Sequence, residues 1–384
     1  MTRPDQTRSI RVLHVVGGMN QGGTETWLMH VLRAIDRERF RFDFLVHTDQ
    51  HCAYNDEIRS LGGRIIPCLL PARPLRYARR LRRILLEHGP YDIVHSHVHH
   101  FSGFVLRQAH RAGVPVRIAH SHSDTSRHDS QAGPFRTFYL GLMEHWVRRY
   151  ATAGFACSRP AAVALFGKHW EKDKRWRVLH CGIDLEPFRQ TVARDAVRKE
   201  LGIPPDAFVV GHVGRFAEQK NHTFLLDIAA CLTRQRPDTY LLLVGDGPLR
   251  PAMEAKAVQL DVRDLIVFAG LRSDVPGLML GAMDVFLFPS LYEGLGLVLV
   301  EAQAAGLPCI ISDVVPTEAD AVPALVRRLS LNQTAKVWAE EVLAAKTRPR
   351  ISRDDVHADL PIREFDITRT SRSLCDLYCG AKTP

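Results

Sequence analysis

Residues 284–311 read Asp-Val-Phe-Leu-Phe-Pro-Ser-Leu-Tyr-Glu-Gly-Leu-Gly-Leu-Val-Leu-Val-Glu-Ala-Gln-Ala-Ala-Gly-Leu-Pro-Cys-Ile-Ile. Val285 to Phe288 is a short apolar run stopped by Pro289, the pattern of a buried strand. Glu293-Gly294-Leu295-Gly296 is a glycine-rich turn. Leu297 to Ala305 reads as a helix, closed by Gly306 and Pro308. Cys309 to Ile311 is the next buried run. Strand, turn, helix and strand make one parallel βαβ unit. A glycine-rich turn feeding a helix gathers free backbone N–H groups and the positive end of the helix dipole, which suits a phosphate. Glu293 in the turn and Glu301 on the helix frame it. A carboxylate accepts two hydrogen bonds side by side, as a ribose diol donates them, so the unit has the parts to hold a nucleotide sugar. Taken alone, the turn reads equally as a structural one between two solvated glutamates.

Spacing argues against a glycosidase. Its catalytic carboxylates stand roughly 5 to 9.5 Å apart, whereas eight residues of continuous helix span about 12 Å. With Glu293 in the turn that figure loosens, but no helical face pairs the two.

At 384 residues the chain has room for two domains, and 46% hydrophobic with 24% charged residues marks it as globular. The eight cysteines are scattered without a C-x-x-C pair, which predicts reduced thiols in the cytoplasm, not a disulfide framework or a zinc site. The opening Met-Thr-Arg-Pro-Asp-Gln lacks the apolar core of a signal peptide, and there is no apolar run of about 18 residues to span a membrane. Residues 1–185 hold 28 Lys and Arg against 16 Asp and Glu, so the remainder is net negative in a chain of total charge +9. The first half is therefore expected to face something anionic. A pI of 9.3 also raises nucleic acid, but no aromatic-basic binding motif accompanies it.

Arg11 to Val16 is a buried strand. It enters Gly17-Gly18-Met19-Asn20-Gln21-Gly22-Gly23-Thr24-Glu25 and then a helix from Glu25 to Ile35. Gly-Gly-x3-Gly-Gly is not the dinucleotide fingerprint, and no acidic residue clearly ends a second strand at the usual place, which argues against NAD. The longer loop lets a backbone approach a phosphate. Leu75 to Glu87 predicts a helix with Arg76, Arg79, Arg80 and Arg83 on one face and Leu75, Ala78, Leu81 and Leu85 on another. It reads either as a solvated basic face or as a surface for anionic lipid. Asp92 to His100 is a strand running into four histidines, with His95 and His97 on one face and His99 in line. No acidic or Cys partner sits at ligand spacing, so no metal is expected. His120 ends the strand Val116–Ala119, where βα logic puts ligand-lining residues. Ser123 to Pro134 is polar and predicts a mobile loop. Pro134 to Tyr150 is a long amphipathic helix. Arg215 ends the strand 208–214 and Lys220 follows five residues later, a fork and a point charge suited to a pyrophosphate. Gly245 follows the strand Tyr240–Val244. Leu271 and Arg272 follow Ile266–Ala269 and are candidates for backbone contacts to a base. Later helices are read at 332–345, 353–360 and 365–380. The βα alternation runs throughout without internal repeats.

Glu293-x7-Glu301 inside EGLGLVLVEAQAAGLP resembles the signature of the family 4 retaining glycosyltransferases of GT-B fold. The double-glycine loop, the strand-end His120 and Arg215-x4-Lys220 match in family order, so the resemblance covers nearly the whole chain. Cys181-Gly182-Ile183-Asp184 resembles the family's N-G-I-D segment, with Cys in place of Asn. The resemblance implies an α/β chain of two Rossmann-like domains facing across a cleft. Residues 1–185 would bind the acceptor, residues 186–362 the nucleotide sugar, and a helix in 363–384 would cross back to the first domain. Gly18, Gly22 and Gly23 would be donor-binding positions in the loop facing the cleft, and His120, near the transferred sugar, would be catalytic together with Glu293, Arg215 and Lys220. Arg215 and Lys220 would neutralise the leaving diphosphate. Glu301 would hold the ribose and Glu293 hydroxyls of the donor hexose, with backbone N–H groups from Gly294, Leu295 and Gly296.

The resemblance further implies a UDP-sugar donor, no bound metal or other cofactor, and retention of configuration at the sugar. The acceptor would be a polyprenyl-diphosphate-linked saccharide in capsule or exopolysaccharide assembly. The enzyme would then rest peripherally on the cytoplasmic membrane face. A UDP-sugar epimerase of the same fold, or a non-catalytic nucleotide-sugar-binding partner, are the alternatives. The basic helix and E-x7-E count against the first, and the presence of both cations and both glutamates against the second.

Overall fold

The computed structural model describes residues 8–69, 72–126, 133–346, 351–358 and 360–380, with residue 360 described by its backbone. The chain divides into two compact units, one of Met1–Gly182 with Ile367–Pro384, the other of Ile183–Asp366.

The first unit holds a sheet of seven strands: β1 (Ile10–Val16), β2 (Phe40–Val46), β3 (Arg64–Pro67), β4 (Ile93–Ser96), β5 (Val116–Ser121), β6 (Ala153–Ala156) and β7 (Trp176–Val178). Their spatial order is β3-β2-β1-β4-β5-β6-β7 and every pairing is parallel. The second unit holds β8 (Phe208–Val213), β9 (Thr239–Val244), β10 (Ile266–Gly270), β11 (Val285–Phe288), β12 (Cys309–Ser312) and β13 (Val326–Leu329), again parallel, in the order β10-β9-β8-β11-β12-β13. Runs such as Val-Phe-Leu-Phe in β11 are buried throughout because helices cover both faces of a parallel sheet. In each sheet the strand order reverses once, at β1/β4 and at β8/β11. Crevices beyond the C-terminal strand ends at such reversals are where open α/β sheets take ligands.

The segment 284–311 folds as read: β11, a turn, the helix Leu297–Ala304 and β12. Gly296 sits at φ +89 and Gly306 at φ +74, so both ends of that helix use backbone conformations that favour glycine. The base of this unit is tied by Arg198, which is 1% exposed. Its guanidinium donates to the carbonyls of Pro205, Ala207 and Ala282 and to Asp284 Oδ2 at 2.6–2.9 Å.

Two expectations are corrected. The arginine-rich helix spans Pro74–Glu87 and buries Tyr77, Leu81, Ile84 and Leu85, while Leu75 is 75% exposed. Leu75 lies six residues before Leu81, about 120° off the buried face at 3.6 residues per turn. His99 does not continue the face of His95 and His97. The strand stops at Ser96, and His99 enters a short 3₁₀ turn at φ +47 with its Nε2 3.2 Å from the Ser123 carbonyl. The polar loop read at 123–134 includes residues 127–132, and the helix read at 353–360 includes residue 359. Both stretches lie outside the described residues.

The last helix, Ile367–Gly380, belongs to the first unit and packs beside the helix Gly23–Ala34. Tyr378, fully buried, stands 6.1 Å from the Phe40 ring and 6.3 Å from the Phe42 ring.

Candidate functional site

In the second unit the candidate residues gather past the ends of β8 and β11. Asn221 takes the left-handed region at φ +54, which ends the 3₁₀ turn Glu218–Lys220 and starts the helix His222–Gln235. Lys220 is thereby turned toward the β11 loop. Its Nζ donates to Glu293 Oε1 at 2.6 Å and lies 4.7 Å from the centre of the Phe288 ring. Gln219 Nε2 donates to the other oxygen, Glu293 Oε2, at 3.1 Å and to the Tyr292 carbonyl at 3.0 Å. Glu293 is 6% exposed, so its carboxylate is held by two named donors in a largely dry place. The Gly294–Gly296 turn behind it is buried and leads directly into the helix Leu297–Ala304. Glu301, on the second turn of that helix, is half-buried, and desolvation pushes its carboxyl up to about 7. Arg215 is exposed just beyond β8, without a side-chain hydrogen bond among the described residues.

Backbone bonds tie the neighbouring strand ends together. Gly214 N–H donates to the Val244 carbonyl at 2.9 Å, Phe216 N–H to Asp246 at 3.0 Å and Gly245 N–H to Gly270 at 2.8 Å. Gly245 is at φ +132, and a Cβ there would lie 2.2 Å from the Gly214 carbonyl oxygen. It therefore acts by letting two loops touch. Leu271 is 59% exposed. The Arg272 guanidinium is occupied by Asp274 and Glu200 at 2.7 Å, so any contact to a base falls to its backbone. A cavity of about 340 Å³ opens at the opposite, N-terminal end of β11 and β12, beside Arg194, Asp284, Pro308 and Ser352, away from these strand ends.

In the first unit the double-glycine loop is pinned by the segment after β2. His47 N–H donates to the Gly17 carbonyl and Tyr54 N–H to the Met19 carbonyl. A Cβ on Gly18 would come within 3.0 Å of the Thr48 side chain and 3.3 Å of Cys52 Sγ, so any larger residue there would require those side chains to give way by a few tenths of an ångström. Gly22 caps the helix Gly23–Ala34, and Gly23 opens it in free space.

His120, the other strand-end residue, is wholly buried among histidines. Register sets His14 of β1 opposite His95 of β4, and β5 lies next to β4. Two hydrogen-bonded chains result. His95 Nδ1 is 2.7 Å from the Tyr378 hydroxyl, and His95 Nε2 is 3.2 Å from His120 Nδ1. His14 Nδ1 is 3.0 Å from His97 Nε2, and His97 Nδ1 is 2.9 Å from His122 Nε2. His122 Nδ1 then meets Cys181 Sγ at 3.7 Å. Desolvation, with a contribution from neighbouring rings at most of these positions, keeps all five neutral: His14 and His122 fall to about 3, and His95, His97 and His120 lie well below the ordinary range. Sequence reading found His95, His97 and His120 but not Gln219, Trp27 or Tyr378, which carry no local motif.

The description "Glycosyl transferases group 1" matches residues 193–356, and "Glycosyl transferase 4-like domain" matches residues 22–182. EpsF of Bacillus subtilis (strain 168), provisionally named a glycosyltransferase, is 41% identical over 371 residues, 96% of each chain. The chain is a family 4 glycosyltransferase. The glycosyltransferase is also 31% identical over 239 residues, 60% of each chain, to the UDP-Gal:alpha-D-GlcNAc-diphosphoundecaprenol alpha-1,3-galactosyltransferase of Escherichia coli. Anabaena Alr3699/HepE in complex with UDP-glucose aligns at a TM-score of 0.77 over 97% of this chain and 100% of that one, at 18% identity. WaaG, a glycosyltransferase involved in lipopolysaccharide biosynthesis, aligns at 0.73 over 96% and 100%, at 21% identity. The fold of this glycosyltransferase is GT-B. No helix among its described residues is long and apolar enough to cross a membrane.

Proposed function

We propose that this glycosyltransferase moves a hexose or N-acetylhexosamine from a UDP-sugar to a lipid-linked saccharide, with retention at the anomeric carbon, in capsule or exopolysaccharide assembly. The observation that carries the donor reading is the Lys220–Glu293 pair at 2.6 Å, set beside a buried glycine turn at a helix N-terminus with Glu301 on the same helix. The diphosphate draws Lys220 and the exposed Arg215 to its oxygens. Glu293, freed from Lys220 but still held by Gln219, turns its carboxylate to hydroxyls of the hexose. Glu301 accepts from the ribose diol. Backbone N–H groups of Gly294, Leu295 and Gly296 face the sugar and phosphate, while Gly245, Leu271 and Arg272 flank the base. Gly18, Gly22, Gly23 and His120 belong to the acceptor-binding half.

In the transfer, the bond from the anomeric carbon to the diphosphate oxygen breaks as the acceptor oxygen bonds to that carbon from the same face. The acceptor's proton passes to the departing phosphate oxygen. Cations already fixed at the leaving group stabilise the charge that develops there. UDP as the base-bearing group is supported by the named donor of the E. coli relative and by the ligand of the Anabaena structure. The lipid-linked acceptor is supported by the diphosphoundecaprenol in the former's name. A membrane surface is supported by Arg76, Arg79, Arg80, Arg82 and Arg83, all exposed on one helix.

A thermal-shift screen of UDP-, GDP- and ADP-sugars tests the donor site. A ligand at 100 times its dissociation constant stabilises by about 2.7 kcal/mol. The expected result is a shift with UDP-sugars that disappears in Glu301→Ala and Lys220→Ala. Folded protein that shifts with none of the three at millimolar concentration overturns the reading.

A further inference from the structure

His97, His120 and His122 each offer one ring nitrogen within 4.8 Å of the other two. They come from the ends of two adjacent strands, so spacing along the chain does not show the set: His120-x-His122 at the end of β5 finds its third ligand in His97, just past the end of β4. The 2.9 Å between His97 Nδ1 and His122 Nε2 is close to the roughly 3.3 Å that two imidazoles show on one tetrahedral ion with bonds of about 2.05 Å. His120 Nε2 is buried and has no hydrogen-bond partner among the described residues. A buried ring nitrogen left in that state is costly, and an ion would satisfy it.

The opposite nitrogen of each ring is already held. His97 Nε2 has His14 Nδ1 at 3.0 Å, His120 Nδ1 has His95 Nε2 at 3.2 Å, and His122 Nδ1 has Cys181 Sγ at 3.7 Å. Such outer partners orient metal-bound imidazoles and set their tautomers. Behind them, the Tyr378 hydroxyl fixes His95 at 2.7 Å. A second triad, His14, His95 and His97, also brings three ring nitrogens within 4.8 Å of one another. It fits less well, because both nitrogens of His95 are engaged by groups outside that triad, Tyr378 and His120, and His14 Nε2 has no outer partner among the described residues.

We infer that His97 Nδ1, His120 Nε2 and His122 Nε2 form a binding site for one divalent ion of the zinc class. Three imidazoles with no carboxylate suit Zn²⁺, Co²⁺, Ni²⁺ or Cu²⁺, and do not suit Mg²⁺ or Ca²⁺. Three protein ligands leave a fourth position open. His97 and His122 are half-buried, so water reaches that side. The Trp27 ring, 5.0 Å from His120 and 5.3 Å from His122, covers the other. The site uses the first unit alone and does not depend on the donor reading. It also gives the enclosed His120 ring a role that does not require it to reach the surface.

The test is a Co²⁺ titration of tag-free, chelator-treated full-length protein, followed by visible absorption and by competition with Zn²⁺. The expected result is one equivalent bound, with d–d bands of low-coordinate cobalt that Zn²⁺ abolishes. His97→Gln and His122→Gln should each lose the bands while retaining the wild-type circular dichroism. His14→Gln, which removes only an outer partner, should weaken binding by roughly 10- to 100-fold. His169→Gln, at an exposed histidine outside the cluster, should bind as wild type does. Folded wild-type protein without saturable one-equivalent binding overturns the inference. So does binding that persists unchanged in both His97→Gln and His122→Gln.

Discussion

Lys220 Nζ stands 2.6 Å from Glu293 Oε1, so the ammonium proposed to meet a diphosphate already holds a carboxylate. Lys220 is 15% exposed and Glu293 6%. Glu293→Ala leaves a mostly buried ammonium without its partner and is expected to lower stability by about 3 kcal/mol. Lys220→Ala is expected to lower kcat/KM by about 10²- to 10³-fold, the scale of losing one transition-state charge contact. In the double variant both charges are gone, and part of the stability should return. Urea unfolding of the two singles and the double checks this, and strictly additive losses would refute the coupling.

Glu301 brings a pH dependence. Its carboxyl titrates near 4.5 as a free side chain and near 7 in the folded unit, because burial disfavours the charge. Between those values the native state holds the extra proton. This group's contribution to stability therefore falls as pH rises from about 4.5 to about 7 and is level above that. A ribose diol donates to the ionised form, so donor affinity should rise through about pH 7. Binding there should release a fraction of a proton. Calorimetry in two buffers of different ionisation enthalpy measures the release, and Glu301→Gln should abolish it.

Gly245→Ala should destabilise the second unit by about 1–3 kcal/mol, since its Cβ would strike the Gly214 carbonyl oxygen at 2.2 Å and both partners are backbone. Movement of that loop carries Arg215 with it. A lower urea midpoint together with weaker donor binding is expected. Unchanged stability would mean the two loops part without cost.

Tyr378→Phe removes the 2.7 Å contact to His95 Nδ1 and leaves a buried ring nitrogen unpaired, at a cost of about 1–3 kcal/mol. Thermal unfolding reports it. Ring packing against Phe40 and Phe42 is retained, so a Tyr378→Phe protein as stable as wild type would show that the hydroxyl has no separate part.

Exchanging Arg79, Arg80 and Arg83 for Glu should abolish flotation with vesicles containing anionic lipid. Each basic residue near such a surface contributes about 1 kcal/mol. The three side chains are exposed, so the folded state should be unaffected, as circular dichroism would verify. Vesicle binding that survives the change would assign it to another surface.

Much of the fold was legible because its strands are continuous apolar runs ended by Gly or Pro. Val285–Phe288 stops at Pro289, and the helix after it closes at Gly306, as read. Glu293, Arg215 and Lys220 were legible as charges at strand ends. That Lys220 pairs with Glu293 was not, because the left-handed turn at Asn221 that aims the lysine is encoded by one residue. The histidine cluster was half legible. His95 and His97 are two residues apart at the end of β4, but His14, His120 and Cys181 meet them only through the lateral order of the sheet and its loops, which residue spacing does not carry. The misplaced face around Leu75 came from pairing leucines with one another when Tyr77 and Ile84 belong to the buried stripe.

The helix that carries Tyr378 completes a unit whose sheet ends at Val178. During synthesis at about 5–20 residues per second, some 10–40 s separate the last strand of that sheet from the residue that closes it. Throughout that interval Phe40, Phe42 and His95 lack their cover, while the second unit emerges and can fold to completion. The first half to be made is thus the last to be finished, and a nascent chain stalled in the second unit would hold it open as a client for chaperones.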